Sequence, residues 1–339
     1  MYFLKLIRYK ELIFIALLQY SIQYFVLGGW LAVFKVPLAA SPLLFALMVF
    51  STLCIAAAGF AANDYFDTRI DELNRPDKVI VGKAISRERT MLIVQMLSAL
   101  GIAGGLLVAY LIGNLTLAFI FVMIPGLLWF HASSYKRQFL LGNFLAAFMA
   151  ALVPIAVMIF NHQLLSNQFA EMDILDKLFI GSKTFFPTLY GWTCAFSLFF
   201  AEMTFLETFA KDMWNEYGNR EFESRTLPVV WGQKKAKIAF VVFTFALAAL
   251  LAHIWYYYYF KDSYFESTSL ITRYLLFGVL LPFVFLIYLV LRIKKPSDCE
   301  LVVVFCRFMM LIGLIFTLIL YFVLSKEFGI SLFNLFVVK

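Results

Sequence analysis

Two polar stretches interrupt an otherwise apolar chain, and both space their side chains as a cation site would. The first, "NDYFDTRIDELNRPDK" (63–78), carries five acidic and three basic side chains. Asn63, Asp67 and Asp71 are spaced i, i+4, i+8, and Asp64, Asp67 and Asp71 are spaced i, i+3, i+7. On a continuing helix these groups share one face. Like charges so placed repel by roughly a few tenths of a kcal/mol per pair in water, and by more where water is scarce. A hard divalent cation offsets that repulsion. Mg²⁺ takes one or two carboxylates and completes its shell with waters and phosphate oxygens. Arg69, Arg75, Lys78 and Lys83 follow at once, and carboxylates for a metal beside cations for phosphate make a diphosphate site. A lone DxxxD, however, is as well explained by a solvated loop whose charges stop a helix.

The second stretch tips that balance. "FLETFAKDMWNEYGNREFESRTLPVVWG" (205–232) again sets Asp212, Asn215 and Asn219 at i, i+3, i+7, with Glu216 one turn from Asp212. Lys211, Arg220 and Arg225 supply positive charge. Two metals bridging one diphosphate between two such helices would neutralise the leaving group as its carbon–oxygen bond breaks. The carbon left behind must be a stabilised cation, and an allylic (prenyl) diphosphate provides one.

The elements that must position these groups are membrane helices. Hydrophobic residues make up 63% of the 339 and charged residues 14%, against about 25% charged in soluble domains. The net charge of +7 then belongs to loops on one side of a membrane and does not imply nucleic acid. Cys54, Cys194, Cys299 and Cys306 lack CxxC spacing, so they are expected to pack rather than to form a disulfide framework or a zinc site. A bilayer core of about 30 Å needs roughly 20 apolar residues per helix. That ruler predicts about nine spans, near 12–34, 41–62, 91–112, 115–131, 139–160, 186–209, 237–258, 270–291 and 301–324. Residues 12–34 are too long and apolar for a cleaved signal and lack a convincing small-residue cleavage site, so they form the first span.

Twenty of the 28 lysines and arginines fall on the N-terminus and the loops after the even spans, and seven on the opposite side; Arg307 lies within the last span. The positive-inside rule therefore puts the N-terminus and both polar stretches in the cytoplasm and the C-terminus outside. The expected location is a plasma or inner membrane. The acids then sit at the lipid edge because the substrate has a diphosphate head and an apolar tail.

Short segments match a known family. "NDYFDTRID" fits the NDxxDxxxD motif of the UbiA-type membrane prenyltransferases, and "NRPDK" the NRPxR/K segment behind it. "KDMWNEYGNRE" resembles the family's KDxxDxxxGD-like second motif, "SRTLPVVWGQKKA" its RTLPxxxGxxxA, and "YKRQFLLGN" (135–143) its LKRxxxLGN. These matches occur in family order across nearly the whole chain. The resemblance implies a single domain over residues 1–339, an all-α polytopic bundle of about nine transmembrane helices around a central cavity with cytoplasmic polar caps. It implies Mg²⁺-dependent transfer of a prenyl group from a prenyl diphosphate donor to a lipophilic acceptor, within membrane lipid. The motif wording is most similar to that of digeranylgeranylglyceryl phosphate synthase-like members, whose acceptor is a prenylglyceryl phosphate. Quinone-precursor branches of the menaquinone and ubiquinone type are the alternative. The resemblance sets no oligomeric state.

By position, the family implies Asn63, Asp64, Asp67 and Asp71 as the first metal set and Asp212, Asn215 and Asn219 as the second, with Glu216 available to it. Asp67, Asp71, Asp212 and Lys136 are the expected catalytic groups. Asn63, Arg75, Lys78, Lys136, Lys211, Arg225 and Glu207 are the expected substrate contacts. Asn215 and Asn219 stand where the family usually has Asp. Asn ligates through its carbonyl oxygen without charge, so the second metal is expected to bind more weakly or to draw on Glu216. "VIVGKAIS" (79–86) replaces a Pro-rich, Ser-Gly-Arg segment, His131 stands where Tyr is common, and Glu11 where Asn is common after Arg8.

Acids inside membrane spans are costly and mark functional sites. Glu207, one to two turns before Asp212, is expected to face the site, and Glu202 to pair with a polar neighbour. His131, His162 and His253 are expected at interfaces, the "WYYYYF" run (255–260) in an aromatic belt or helix packing, and 161–186 in an external loop. A transporter would hold its charges deep in broken helices; here they cluster at helix ends. A CDP-alcohol phosphotransferase would need a DGxxAR…GxxxDxxxD pattern, which the sequence lacks.

Overall fold

The computed structural model describes residues 2–74, 76–170, 185–256, 269–332 and 336–337. Among these, nine helices are long and apolar enough to cross a membrane. They are α1 (Tyr9–Val33), α2 (Pro42–Leu73), α3 (Arg87–Ile112), α4 (Leu115–Ser133), α5 (Leu141–Ala170), α6 (Phe185–Trp214), α7 (Leu227–Ile254), α8 (Leu270–Arg292) and α9 (Pro296–Phe328). The chain is an integral, multi-pass, all-α membrane protein. Its one sheet among the described residues is a two-residue antiparallel pairing, Ser331–Leu332 with Phe336–Val337, after α9, and an isolated bridge joins Val81 to Ile85.

α2, α3 and α4 pack on one another, and α6 packs against α5, α7 and α9. α1 touches α2, α5, α6 and α9 and so ties the two groups together. Small residues set the closest crossings. A Cβ added at Gly105 of α3 would lie 2.1 Å from the Phe121 ring of α4, and one at Gly104 would lie 2.4 Å from Ser51 Oγ of α2. Packing, rather than the hydrophobic effect, holds helices together in lipid, so such glycines decide which helices meet. Polar groups buried in the bundle are satisfied laterally. Gln23 of α1 and Asn161 of α5 exchange amide hydrogen bonds, one of them 3.2 Å and the other 2.5 Å.

Several helices overrun their expected ends. α2, expected to stop at 62, continues as helix to Asn74. At about 1.5 Å per residue, its 33 residues span ~50 Å, well beyond a ~30 Å hydrocarbon core. The first polar stretch is therefore a helical extension past the lipid, where its carboxylates escape the bilayer. Of the expected external loop at 161–186, residues up to Ala170 belong to α5, because Asn161 finds its partners sideways in the bundle; 171–184 lie outside the described residues. α7 begins at Leu227, ten residues early, and accommodates Gly232 at φ 78 as a kink. Glu202 is a further correction. It is 4% exposed, and neither carboxylate oxygen meets a hydrogen-bond partner among the described residues. Phe199 and Leu206, one turn to either side, offer it no donor.

Candidate active site

The overrun of α2 brings Asn63, Asp64, Asp67 and Asp71 onto one helix end. The chain then delivers cations to them from far away in sequence. Arg8, just before α1, places Nη2 2.6 Å from Asp64 Oδ1. Lys136, between α4 and α5, places Nζ 2.6 Å from Asp67 Oδ2 and donates to Asn63 Oδ1 at 2.8 Å. A tight turn makes the Lys136 placement possible. Leu140 takes a left-handed φ of 54, and a Cβ at Gly142 would sit 2.4 Å from the Lys136 Cα. His131 Nε2 donates to the Gly142 carbonyl at 3.1 Å, which closes the same turn.

The turn also joins the two polar stretches. Arg137 donates through Nη2 to the Phe66 carbonyl at 3.3 Å, while its own carbonyl accepts from the Arg225 backbone N–H at 2.7 Å. Asn143, at the start of α5, donates to Asp212 Oδ2 at 2.9 Å and to Thr208 Oγ1 at 3.2 Å. The charges of Asp67 and Lys136 both act on Asp212, and that of Asp71 acts on Lys136. The two acidic helices thus meet at one end of the bundle.

Burial pulls the Lys136 ammonium below the ordinary lysine range, and the neighbouring Asp67 and Asp71 oppose the shift without cancelling it. For Arg8, burial works against the charge, but Asp64, with Glu11 and Asp67 behind it, outweighs burial and raises the pKa.

The remaining predicted residues are distributed unevenly. Glu207 receives Lys211 Nζ and Arg307 Nε, each at 2.8 Å from Oε1, and Arg307 Nη2 also reaches Glu11 Oε1 at 3.5 Å. Glu216 pairs with Arg220 at 2.6 Å, one turn along its own short helix. α6 ends at Trp214, and that short helix, Glu216–Glu221, begins after Asn215, so the second stretch has a break where the spacing implied one helical face. Asn219 is buried and its backbone carbonyl accepts from the Ser224 N–H at 2.8 Å. The Arg225 side chain is exposed, and Arg75 lies outside the described residues, as does the Lys78 side chain.

Arg8, Asn143 and Arg307 had been given no site role from sequence. Arg307 carried a usable signal as a charge inside an apolar span, and Asn143 sits within the "LGN" segment. Only folding could assign Arg8 to Asp64.

Among the described residues, no three His, Cys, Asp or Glu side chains close on a single point, because Asp64 and Asp67 are drawn to Arg8 and Lys136. The donors around the mouth are all oxygens, carboxylate and amide, which suits a hard cation rather than a soft one. A Mg²⁺–phosphate complex asks the protein for only one or two carboxylates, so a three-carboxylate cage is not required for one. Between α2, α4 and α5 lies a small, half-open apolar cleft of about 50 Å³, lined by Thr52, Ile55, Phe121, Ile124, Leu152 and Val153 among others.

An apolar helical bundle whose polar mouth is built from two acidic helix ends and imported cations defines a membrane-embedded enzyme for a substrate with an anionic head and an apolar tail. The chain belongs to the UbiA prenyltransferase family, whose model matches residues 24–312. It is 30% identical over 229 residues to the digeranylgeranylglyceryl phosphate synthase of Thermococcus sibiricus, covering 67% of this chain and 70% of the relative. To the synthase of the same name from Methanoregula boonei it is 27% identical over 240 residues, 68% and 74% of the two chains. In fold it resembles a solved digeranylgeranylglyceryl phosphate synthase, with a TM-score of 0.59, 20% identity, and 94% and 97% of the chains covered. It also resembles a UbiA homologue from Archaeoglobus fulgidus solved with DMAPP and Mg²⁺, with a TM-score of 0.54, 16% identity and 92% and 98% covered.

Proposed function

We propose that this protein transfers a prenyl group from a prenyl diphosphate to the hydroxyl of a prenylglyceryl phosphate, in a Mg²⁺-dependent reaction. The main support is convergence: Asp67 and Asp212, on helices far apart in sequence, come within electrostatic reach of each other and of Lys136 at the polar end of an apolar bundle. The names of the relatives support the acceptor, and the Mg²⁺ and DMAPP held by the fold neighbour support the donor and the metal. The family match over residues 24–312 supports one catalytic unit across 1–339. The excess of Lys and Arg on one side supports a cytoplasmic mouth and N-terminus, with the C-terminus outside.

In this reading Asp64, Asp67 and Asp71 on α2 and Asp212 on α6 would hold the metal, with the side-chain carbonyls of Asn63, Asn215 and Asn219 as neutral ligands. Bound Mg²⁺ supplies positive charge to a leaving diphosphate. Lys136 and Arg8, paired with Asp67 and Asp64, would supply positive charge to phosphate oxygens at the same place. Lys211 and Glu207 line the same side of the mouth. The allylic carbon–oxygen bond breaks, the acceptor hydroxyl oxygen bonds to that carbon, and its proton leaves to the released diphosphate or a base. The cleft beside Thr52 and Phe121 offers apolar volume for a tail.

A membrane assay tests this, using labelled geranylgeranyl diphosphate with and without Mg²⁺. The acceptors are a glycerol phosphate ether lipid, dihydroxynaphthoate and hydroxybenzoate. Product is expected with the ether lipid, only with Mg²⁺, and to be lost by about 1000-fold or more in Asp67→Ala. Turnover with the aromatic acids alone would move the protein to the quinone-precursor branches.

A further inference from the structure

We propose that Arg307 is the binding contact for the anionic group of the acceptor, a site separate from the carboxylates that serve the diphosphate. The inference deepens the function proposed above and rests on its reading of a phosphate-bearing acceptor.

Arg307 sits two turns inside an apolar span, where a charge is costly and marks a function. Neutralising Glu207 does not require it, because Lys211 already reaches the same oxygen at 2.8 Å from one turn away. Arg307 is thus a second cation on one carboxylate. Its hold on Glu11 is loose, at 3.5 Å, and its bond to Glu207 runs through Nε. The Arg307 side chain is 47% exposed, while Glu207 beside it is 10% exposed. A structural strut would be sealed on both sides; this one has an open edge. The planar guanidinium suits two-point binding of phosphate or carboxylate better than any lysine.

Its place in the molecule fits a second anion. Arg307 comes from α9, Glu11 from α1 and Glu207 from α6, so three helices meet at this point. Glu11 also acts electrostatically on Arg8, which holds Asp64 at 2.6 Å. Charges therefore alternate from Lys211 through Glu207, Arg307, Glu11 and Arg8 to Asp64, joining the two sides of the mouth. An anion arriving at Arg307 replaces Glu11 as its partner and lies beside the diphosphate site without occupying it.

Thermal unfolding of the detergent-solubilised full chain, titrated with ligand, tests this without turnover. The probes are a geranylgeranylglyceryl phosphate, its dephosphorylated alcohol, hydroxybenzoate, and geranylgeranyl diphosphate with Mg²⁺. Wild type is expected to bind the phosphate lipid more tightly than the alcohol. Arg307→Met should weaken the phosphate lipid about tenfold or more and leave the alcohol and the diphosphate within about twofold. Arg307→Lys should recover only part of the loss. Glu11→Gln, which removes the competing carboxylate, should tighten phosphate binding severalfold, and it decides the matter if Arg307→Met does not fold. Loss of diphosphate binding in Arg307→Met, or equal binding of phosphate and alcohol by wild type, overturns the proposal. If hydroxybenzoate stabilises wild type and the phosphate lipid does not, the acceptor reading fails, and the response of Arg307→Met to hydroxybenzoate then decides the role of Arg307 on its own.

Discussion

The two acidic helix ends are built from different materials. On α2 the helix runs unbroken through its carboxylates, and each described partner arrives from a remote segment: Arg8 for Asp64 and Lys136 for Asp67. After α6 the helix breaks at Asn215, and Glu216 is paired by Arg220 from within the same stretch. Asp212 differs from all of these. Among the described residues it makes no ion pair, and its Oδ2 is held by the neutral amide of Asn143. One end of the site is thus preset by long-range cations. The other holds a carboxylate with no cation paired to it among the described residues. Asn215 and Asn219 add oxygen but no charge, so Asp212 carries most of what the second end can offer a cation.

That asymmetry can be broken most forcefully at Asp212. Asp212→Asn is expected to lower turnover about 100-fold or more and to raise the Mg²⁺ concentration needed for half activity, measured with the ether-lipid acceptor. Asn143→Ala should cost less, about tenfold, since it removes an orienting hydrogen bond and leaves the charge. If Asp212→Asn retains most activity, the second end is not a metal end and the comparison fails.

Lys136 sharpens the other side. Because burial lowers its pKa, it loses its proton at lower pH than an ordinary lysine, and with it, in the proposed reaction, its charge for phosphate. Activity should fall as pH rises through that value. Lys136→Arg should move the alkaline limb upward, because arginine stays charged, and Lys136→Met should abolish the limb along with most activity. A pH–rate profile read for donor kcat/KM checks this. An unchanged alkaline limb in Lys136→Arg would assign it to another group.

The smallest effect belongs to Glu216. Its pairing with Arg220, a partner with a 61% exposed side chain, is worth about 0.5 kcal/mol or less. Arg220→Gln should change the Tm by a degree or two at most. If it also lowers the half-activating Mg²⁺ concentration, freed Glu216 has become a ligand and the second end is richer in charge than the free protein presents.

Periodicity within a helix was legible from the chain alone, and so were the elements that depend on it. The helical face shared by Asp64, Asp67 and Asp71 needed only the spacing of three acids and a helix that continued past its apolar run. The nine apolar runs needed only the thickness of a bilayer. The same logic failed at Asn215, where an identical spacing crosses a helix end, because spacing does not reveal where backbone hydrogen bonding stops. It failed again at Glu202, whose expected polar partner is not found among the described residues.

Composition, the apolar runs and the position of both acidic stretches at the ends of such runs were therefore properties of the sequence by itself, as was the family it resembles. These follow from local chemistry: hydrophobic length, helical spacing and short motifs. The pairings that make a site were decided by the tertiary structure alone. Arg8 finds Asp64 across 56 residues, Asn143 finds Asp212 across 69, and Arg307 finds Glu207 across 100. No periodicity reaches so far. Those contacts exist because helices without a hydrophobic drive between them settle by fit, at glycines and small residues, and the charges at their ends meet where the fit leaves them.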